Sequence, residues 1–241
     1  IDITHYGDES DFLGYKEWRF RIGCHTLWFD DIKDFAIVLL DNLPEYIWHV
    51  GASSTGKYHP AYSLGELGLM RHQIAVVRFL NFFLELEQYN KIIPSRERDL
   101  LRVAGLIHDG RKSGSQSDYE RSKYTKFDHP LQMAAVIRSY DGKYLNHNEI
   151  ELIAHCIESH MGSWNVDKKT GECLPKPEDL HQELVHLADY LASRKTLTMD
   201  FDERSYDITV SRGAIKHASE LFALDRRVLV VTDDGVPAQY S

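Results

Sequence analysis

The chain has 241 residues, of which 43% are hydrophobic and 27% are charged, an ordinary balance for a globular protein with one large domain. Its 28 Lys and Arg residues against 37 Asp and Glu residues give a formal net charge of −9, which argues against general coating of duplex nucleic acid. No apolar run approaches the length of a membrane span, and the three cysteines form no paired framework. We therefore expect a cytoplasmic protein with reduced cysteines and no membrane partner.

Residues 1–58 mix apolar and polar positions, and we assign them to an N-terminal extension. The apolar residues between Phe29 and Leu40 predict a packed helix or strand. Residues 51–57, rich in Gly and Ser, predict a loop. This loop has the glycine spacing of a nucleotide-binding P-loop, but Tyr58 stands where that motif needs a magnesium-binding Ser or Thr, and Pro60 follows. A flexible loop is the better interpretation.

Two helices are predicted next, and each carries potential metal ligands. Apolar residues recur at helical spacing from about residue 63 to residue 89, with His72 in the early part of this segment. Ser95 follows the helix-breaking Pro94 and predicts a new helix start. The apolar stripe of that helix ends at the adjacent pair His108-Asp109.

Three further helices complete a predicted bundle over residues 59–199. Pro130 opens the first of them, with His129 just before its first turn. Asn148 is predicted to cap the second, in which His160 continues the buried apolar stripe while His155 lies about 140° around the helix from His160. The third is predicted over about residues 178–195 and carries Asp189.

The remaining segment, residues 200–241, is predicted to form a mixed α/β extension. Tyr206–Val210 and Val228–Val231 are expected to be strands, with a helix between them. The fold class expected for the whole chain is mainly α, with small mixed extensions at both ends of a helical bundle.

The ordered histidines and aspartates resemble the HD-domain superfamily of metal-dependent phosphohydrolases over roughly residues 59–195. Residues 68–72 are similar to the Gly-Leu-x-x-His entry of that family, and residues 108–112 have its His-Asp-x-x-Lys form. Residues 155–162 resemble a segment of HD-type 3′–5′ exoribonucleases, and Leu187-Ala188-Asp189 looks like the closing aspartate motif.

The resemblance implies an HD-domain helical bundle with two divalent metal ions (Mn, Fe, Mg, Ni or Zn). One ion would be held by His72, His108, Asp109 and Asp189. Asp109 would bridge to a second ion held by His129 and His160. Met161 stands where a second adjacent histidine is frequent in the family, so either His155 or His160 remains open as the last histidine ligand.

Other residues are expected to act on the substrate. The predicted catalytic residues are Asp109, Lys112 and His155, and the predicted substrate-binding residues are Lys57, Arg111 and Arg194. His59, just upstream of His72, is expected to line the same cleft. Trp164 has two interpretations, a platform for a nucleobase or an aromatic residue packed on the bundle.

The sequence favours hydrolysis of a phosphoester substrate, either a nucleotide or the end of a single-stranded nucleic acid. Two adjacent cations suit this chemistry because they stabilise the charge that develops on a phosphoryl group. An HD-type mixed-valent di-iron oxygenase and a non-catalytic binding module remain as alternatives at this point.

Overall fold

Helices dominate the part of the chain that the computed structural model describes, which comprises residues 27–53, 56, 59–194, 196–199, 206–209, 216, 218–221 and 225. Backbone contacts divide the chain into two units, residues 1–193 and residues 194–241. The helices of the first unit are α1 (Asp30–Asp41), α2 (Gly68–Glu85), α3 (Glu87–Asn90), α4 (Ser95–Ile107), α5 (Gln116–Arg121), α6 (His129–Arg138), α7 (His147–Ser159) and α8 (Leu180–Ala192). The expected fold class, mainly α with a helical bundle, is confirmed. The predicted domain limits at residues 59 and 199 remain predictions.

Helix α4 lies in the middle of the bundle, where it contacts α1, α2, α7 and α8. Its apolar side chains are fully buried, at most 2% exposed: Leu100, Leu101, Val103, Ala104, Leu106 and Ile107. At Gly105 the helix approaches α2 closely, since a Cβ atom there would lie 2.5 Å from Leu80 Cδ1. The helix ends at Ile107, and the next two residues, His108 and Asp109, are buried inside the bundle.

A buried carboxylate on α4 fixes the start of α1. Asp99 is 0% exposed, and its Oδ2 accepts hydrogen bonds from the backbone N–H groups of Trp28 (2.6 Å) and Phe29 (3.1 Å). Arg102 Nη1 lies 2.7 Å from the other oxygen, Oδ1. Since the N-cap Phe29 has no capping side chain of its own, Asp99 supplies acceptors that the beginning of α1 needs.

Several helix boundaries differ from those predicted. The cap of α7 is Asn146 and not Asn148, because Asn146 and Glu149 bond reciprocally to each other's backbone N–H in a capping box. Helix α2 begins at Gly68 rather than near residue 63, after a turn in which Leu67 has φ +55°. Helix α8 begins after its cap Asp179 and ends at Ala192.

The second unit contains a two-stranded antiparallel hairpin, β1 (Thr196–Met199) and β2 (Tyr206–Thr209), and a short helix α9 (Ala218–Leu221). Strand β2 agrees with the predicted strand Tyr206–Val210, whose last residue lies outside the described part of the chain, whereas β1 was not predicted. The predicted strand Val228–Val231 lies outside the described residues. Among the helices described, none combines the length and the apolar character required to cross a bilayer.

Candidate metal centre

Four imidazole rings and two carboxylates meet in the interior of the first unit. They come from five helices: His72 from α2, His108 and Asp109 from the end of α4, His129 from the start of α6, His160 from the end of α7, and Asp189 from α8. The four histidines and Asp109 are at most 2% exposed. The side chain of Asp189 is 17% exposed, so the cluster opens toward solvent beside this residue.

The two carboxylates organise the cluster into two adjoining groups. Asp109 Oδ1 lies 3.0 Å from His129 Nε2 and 3.8 Å from His160 Nε2. Asp189 Oδ1 lies 3.0 Å from His72 Nε2 and 3.6 Å from His108 Nε2. The groups are joined because His108 Nε2 is also 3.7 Å from Asp109 Oδ2.

Backbone carbonyls orient three of the four rings. Nδ1–H of His108 donates to Gly105 O at 2.9 Å, that of His129 to Lys126 O at 2.6 Å, and that of His160 to Ile157 O at 2.7 Å. A neutral imidazole that donates from Nδ1 has an unprotonated Nε2, and here each Nε2 faces the cluster. Such a backbone bond on the outer nitrogen is typical of metal-binding histidines.

The donor set fits divalent cations. Within the described residues, His108 Nε2, His129 Nε2 and Asp109 Oδ1 are buried without a hydrogen-bond partner. His129 Nε2 faces a carboxylate oxygen of Asp109 only 3.0 Å away, a pair of buried atoms that either a proton or a shared metal cation satisfies. Imidazole nitrogens and carboxylate oxygens are ordinary ligands of zinc, manganese and iron.

The electrostatics of the cluster keep its carboxylates ionised. Burial alone would raise the pKa of Asp109, but Lys112, His108 and His129 hold this pKa well below its usual range. Burial would likewise raise the pKa of Asp189, which His108 and His72 instead keep well below its usual range. Burial also lowers the pKa of His160 to about 3, so this ring is neutral at physiological pH. The cluster therefore offers anionic oxygens and at least one neutral nitrogen, the forms that bind a metal.

The family model described as HD domain matches residues 70–194, which contain all six clustered residues and make up more than half of the chain. The chain belongs to the HD-domain family. Neither the curated proteins nor the solved structures include a significant match. HD domains bind divalent metals and are generally hydrolytic, in agreement with a buried His/Asp cluster that can hold metal.

Lys112 of this HD domain lies directly against the cluster. Its Nζ is 2.5 Å from Asp109 Oδ2, and its side chain is 14% exposed. The carbonyl of Lys112 accepts a hydrogen bond from Lys126 N, which brings the turn after α4 to the start of α6. Lys112 thus supports the position of both Asp109 and His129.

The predicted substrate-binding residues Lys57, Arg111 and Arg194 are not tested by the structure. Arg111 is half-buried in the turn after α4, and Lys57 lies outside the described residues. Arg194 is the first residue of the second unit. Their roles remain predictions.

The structure does not bring His155 into the cluster. Its side chain is 55% exposed on α7, with Nε2 3.4 Å from Glu151 and Nδ1 3.3 Å from Glu158. The five-residue separation from His160 rotates His155 by about 140° and directs it away from the bundle interior. Its position therefore supports neither the predicted catalytic role nor a role as the last histidine ligand.

Two further histidines lie beside the HD centre. His186 was not among the predicted site residues, and it donates from Nδ1 to the carbonyl of His160 at 2.8 Å. The ring of His59 lies edge-on to His72 with the centroids 5.8 Å apart, and burial lowers the pKa of His59 to about 4. A signal that could have found His186 is its spacing, three residues before Asp189 on α8, because residues at this spacing share one face of a helix.

Proposed function

We propose that this HD domain is a metal-dependent phosphohydrolase that cleaves a phosphoester in a nucleotide or at the end of a single-stranded nucleic acid. The observation that carries the proposal is the position of Asp109. Its carboxylate lies between His129 and His160 on one side and His108 on the other, and a backbone carbonyl accepts a hydrogen bond from the outer nitrogen of each ring, so that the inner nitrogen Nε2 faces the cluster.

In this proposal two divalent ions share the centre. His72, His108, Asp109 and Asp189 would hold one ion, and His129 and His160, together with Asp109, would hold the second. What such cations contribute is Lewis acidity toward a phosphoryl oxygen and a lowered pKa of water, which provides hydroxide near neutral pH.

The protein's own contribution is to position these groups and to receive a phosphate. Lys112 keeps Asp109 in place through their ion pair, and its ammonium group lies at the centre as a compact positive charge. A phosphate entering beside Asp189, the most exposed member of the cluster, can therefore approach the cations and the ammonium group of Lys112 together. Lys112 then acts in substrate binding as well as in positioning.

The charge of the chain favours a small or terminal phosphate over a long duplex. The formal net charge of −9 repels a polyanion, whereas one phosphate at a local positive site is attracted. A mononucleotide or the free end of a single strand meets this requirement.

The proposal is tested with metal-loaded protein, a mononucleotide, a single-stranded oligonucleotide and an intact duplex. We expect phosphoester cleavage of one of the first two substrates and little cleavage inside the duplex. Asp109→Ala should abolish cleavage because the bridging ligand is lost. Asp141→Ala, in which the lost carboxylate is 43% exposed and bonds His147, is the matched control and should keep full activity. Full activity of Asp109→Ala would refute the mechanism.

A second variant separates phosphate binding from metal binding. Lys112→Ala should retain its metal while raising KM or lowering kcat, by about tenfold if one charge-assisted hydrogen bond is lost. Unchanged kinetics on every substrate would remove Lys112 from the mechanism. Oxygen consumption by the iron-loaded protein without release of phosphate would favour the oxygenase alternative, and no turnover of either kind would favour a binding module.

A further inference from the structure

A groove of about 430 Å³ runs along α8 and includes His186, whose ring bonds the carbonyl of the clustered His160. Aromatic and apolar side chains line most of it, among them Tyr89, Trp164, Leu187 and Tyr190, and Ser163 and Glu183 add polar groups. Trp164 is 49% exposed and Leu187 is 39% exposed, so a large part of this lining is accessible from solvent.

Two rings of the groove already form a parallel stack. Trp164 lies over Tyr190 with the ring centroids 5.5 Å apart and an angle of 15° between the planes. Parallel orientation and half exposure of the indole are the features of an aromatic platform on which a further planar ring can stack.

The groove and the metal centre are built from the same two segments. Tyr190 follows the clustered Asp189 on α8, and Trp164 lies four residues after the clustered His160. His186, which also lines the groove, bonds the carbonyl of His160. Asp189, the clustered residue that reaches solvent, directly precedes Tyr190, so the groove begins one residue along α8 from the exposed edge of the cluster.

We propose that this groove is a base-binding subsite in which Trp164, supported by Tyr190, stacks on the nucleobase of the substrate. The inference rests on the proposed phosphohydrolase function and narrows the substrate to phosphoesters that carry a planar base. Stacking is tolerant of base identity because each base has a π-face, so the subsite selects for the presence of a base and not for one sequence.

The test compares two ligands that differ only by the base, adenosine 5′-monophosphate and ribose 5-phosphate. Their affinities for the intact metal-loaded protein are measured by calorimetry, while phosphate release is followed in the same samples. The variants are Trp164→Ala, Trp164→Phe and the matched control Trp28→Ala, in which the removed indole is 84% exposed and lies outside the groove. Thermal melting of each variant confirms that it is folded.

In the wild type and in Trp28→Ala we expect the nucleotide to bind about tenfold or more tightly than the sugar phosphate. This ratio should fall to near one in Trp164→Ala and recover largely in Trp164→Phe, which keeps an aromatic face. A ratio near one in the wild type, a ratio that survives in Trp164→Ala, or no binding of either ligand would overturn the subsite. Cleavage of phosphoesters in the wild type together with any of these results would leave the phosphohydrolase proposal standing, whereas loss of both binding and cleavage would refute both.

Discussion

At the scale of single residues, the candidate centre depends on one repeated contact between a histidine ring and a backbone carbonyl. In His108, His129 and His160, Nδ1–H donates to the carbonyl three residues earlier. Two of these rings stand directly after the last residue of a helix, where carbonyls without an intrahelical partner are within reach. The ends of α4 and α7 therefore determine which ring nitrogen faces the cluster.

His186 extends this orientation to the backbone of His160. We predict that His186→Ala lowers the affinity for the metal ion bound through His129 and His160 by about 10- to 100-fold. This is the usual effect of losing a residue that orients a metal ligand. Metal affinity is measured by competition with a chelator. His147→Ala, in which the removed ring is 69% exposed and bonds Asp141, is the control.

Gly162→Ala is a second variant that tests the same contact. Gly162 has φ +53°, and a Cβ atom there would lie 2.1 Å from His186 Cε1, so the ring must move. Its metal affinity should fall like that of His186→Ala. Wild-type affinity in both variants would contradict the positioning role.

The candidate metal ligands could be predicted from the sequence because each is marked by a pattern in its own neighbouring residues. The doublet His108-Asp109 ends an apolar stripe, and the helical period separates the inward-facing His160 from His155. The contact of His186 with His160 could not be predicted in the same way. It joins two residues 26 positions apart through the relative placement of α7 and α8, which no local pattern specifies.

At the scale of secondary-structure elements, periodicity predicted the helices of the bundle but placed some of their ends wrongly. The pattern of an Asn followed three residues later by Glu occurs at both Asn146–Glu149 and Asn148–Glu151, so the pattern alone could not select the capping box that the structure has at Asn146. The start of α1 could not be predicted from the neighbouring sequence, because the acceptor for its first backbone N–H groups is Asp99 on the distant helix α4.

This link between α1 and α4 gives a stability prediction. Asp99→Ala should lower the free energy of unfolding by about 3 kcal/mol, because two backbone N–H groups and Arg102 lose a buried acceptor. Urea denaturation of the variant measures this change, with Asp141→Ala as an exposed control. A loss below about 0.5 kcal/mol would show that Asp99 does not hold α1 in place.

At the scale of the whole molecule, the buried histidines predict how the stability of the metal-free protein depends on pH. Burial lowers the pKa of His160 to about 3, against about 6.5 in an unfolded chain. Between these values the unfolded state binds a proton that the folded state does not, so stability falls as pH decreases, by about 1.4 kcal/mol per pH unit for this group. His59, whose pKa burial lowers to about 4, acts in the same direction.

His108 acts in the opposite direction. Although burial alone would lower the pKa of His108, Asp109 and Asp189 raise it. Its contribution to the stability of the folded state is therefore present below about pH 6.5 and is lost as pH rises through the folded pKa. Urea unfolding of the metal-free wild type and of His160→Gln at pH 5 and pH 6.5 separates these effects. His160→Gln should lose less stability on acidification than the wild type, and an equal or larger loss would contradict the assignment.

The most direct test of the account is the number of metal ions bound per chain after saturation with Mn²⁺ and removal of the excess. We predict two ions in the wild type and one in His160→Ala, because His160 belongs to the group formed with Asp109 and His129. His155→Ala should retain two, since this exposed ring lies outside the cluster. A single ion in the wild type, two ions in His160→Ala, or the loss of one in His155→Ala would contradict the proposed two-metal centre.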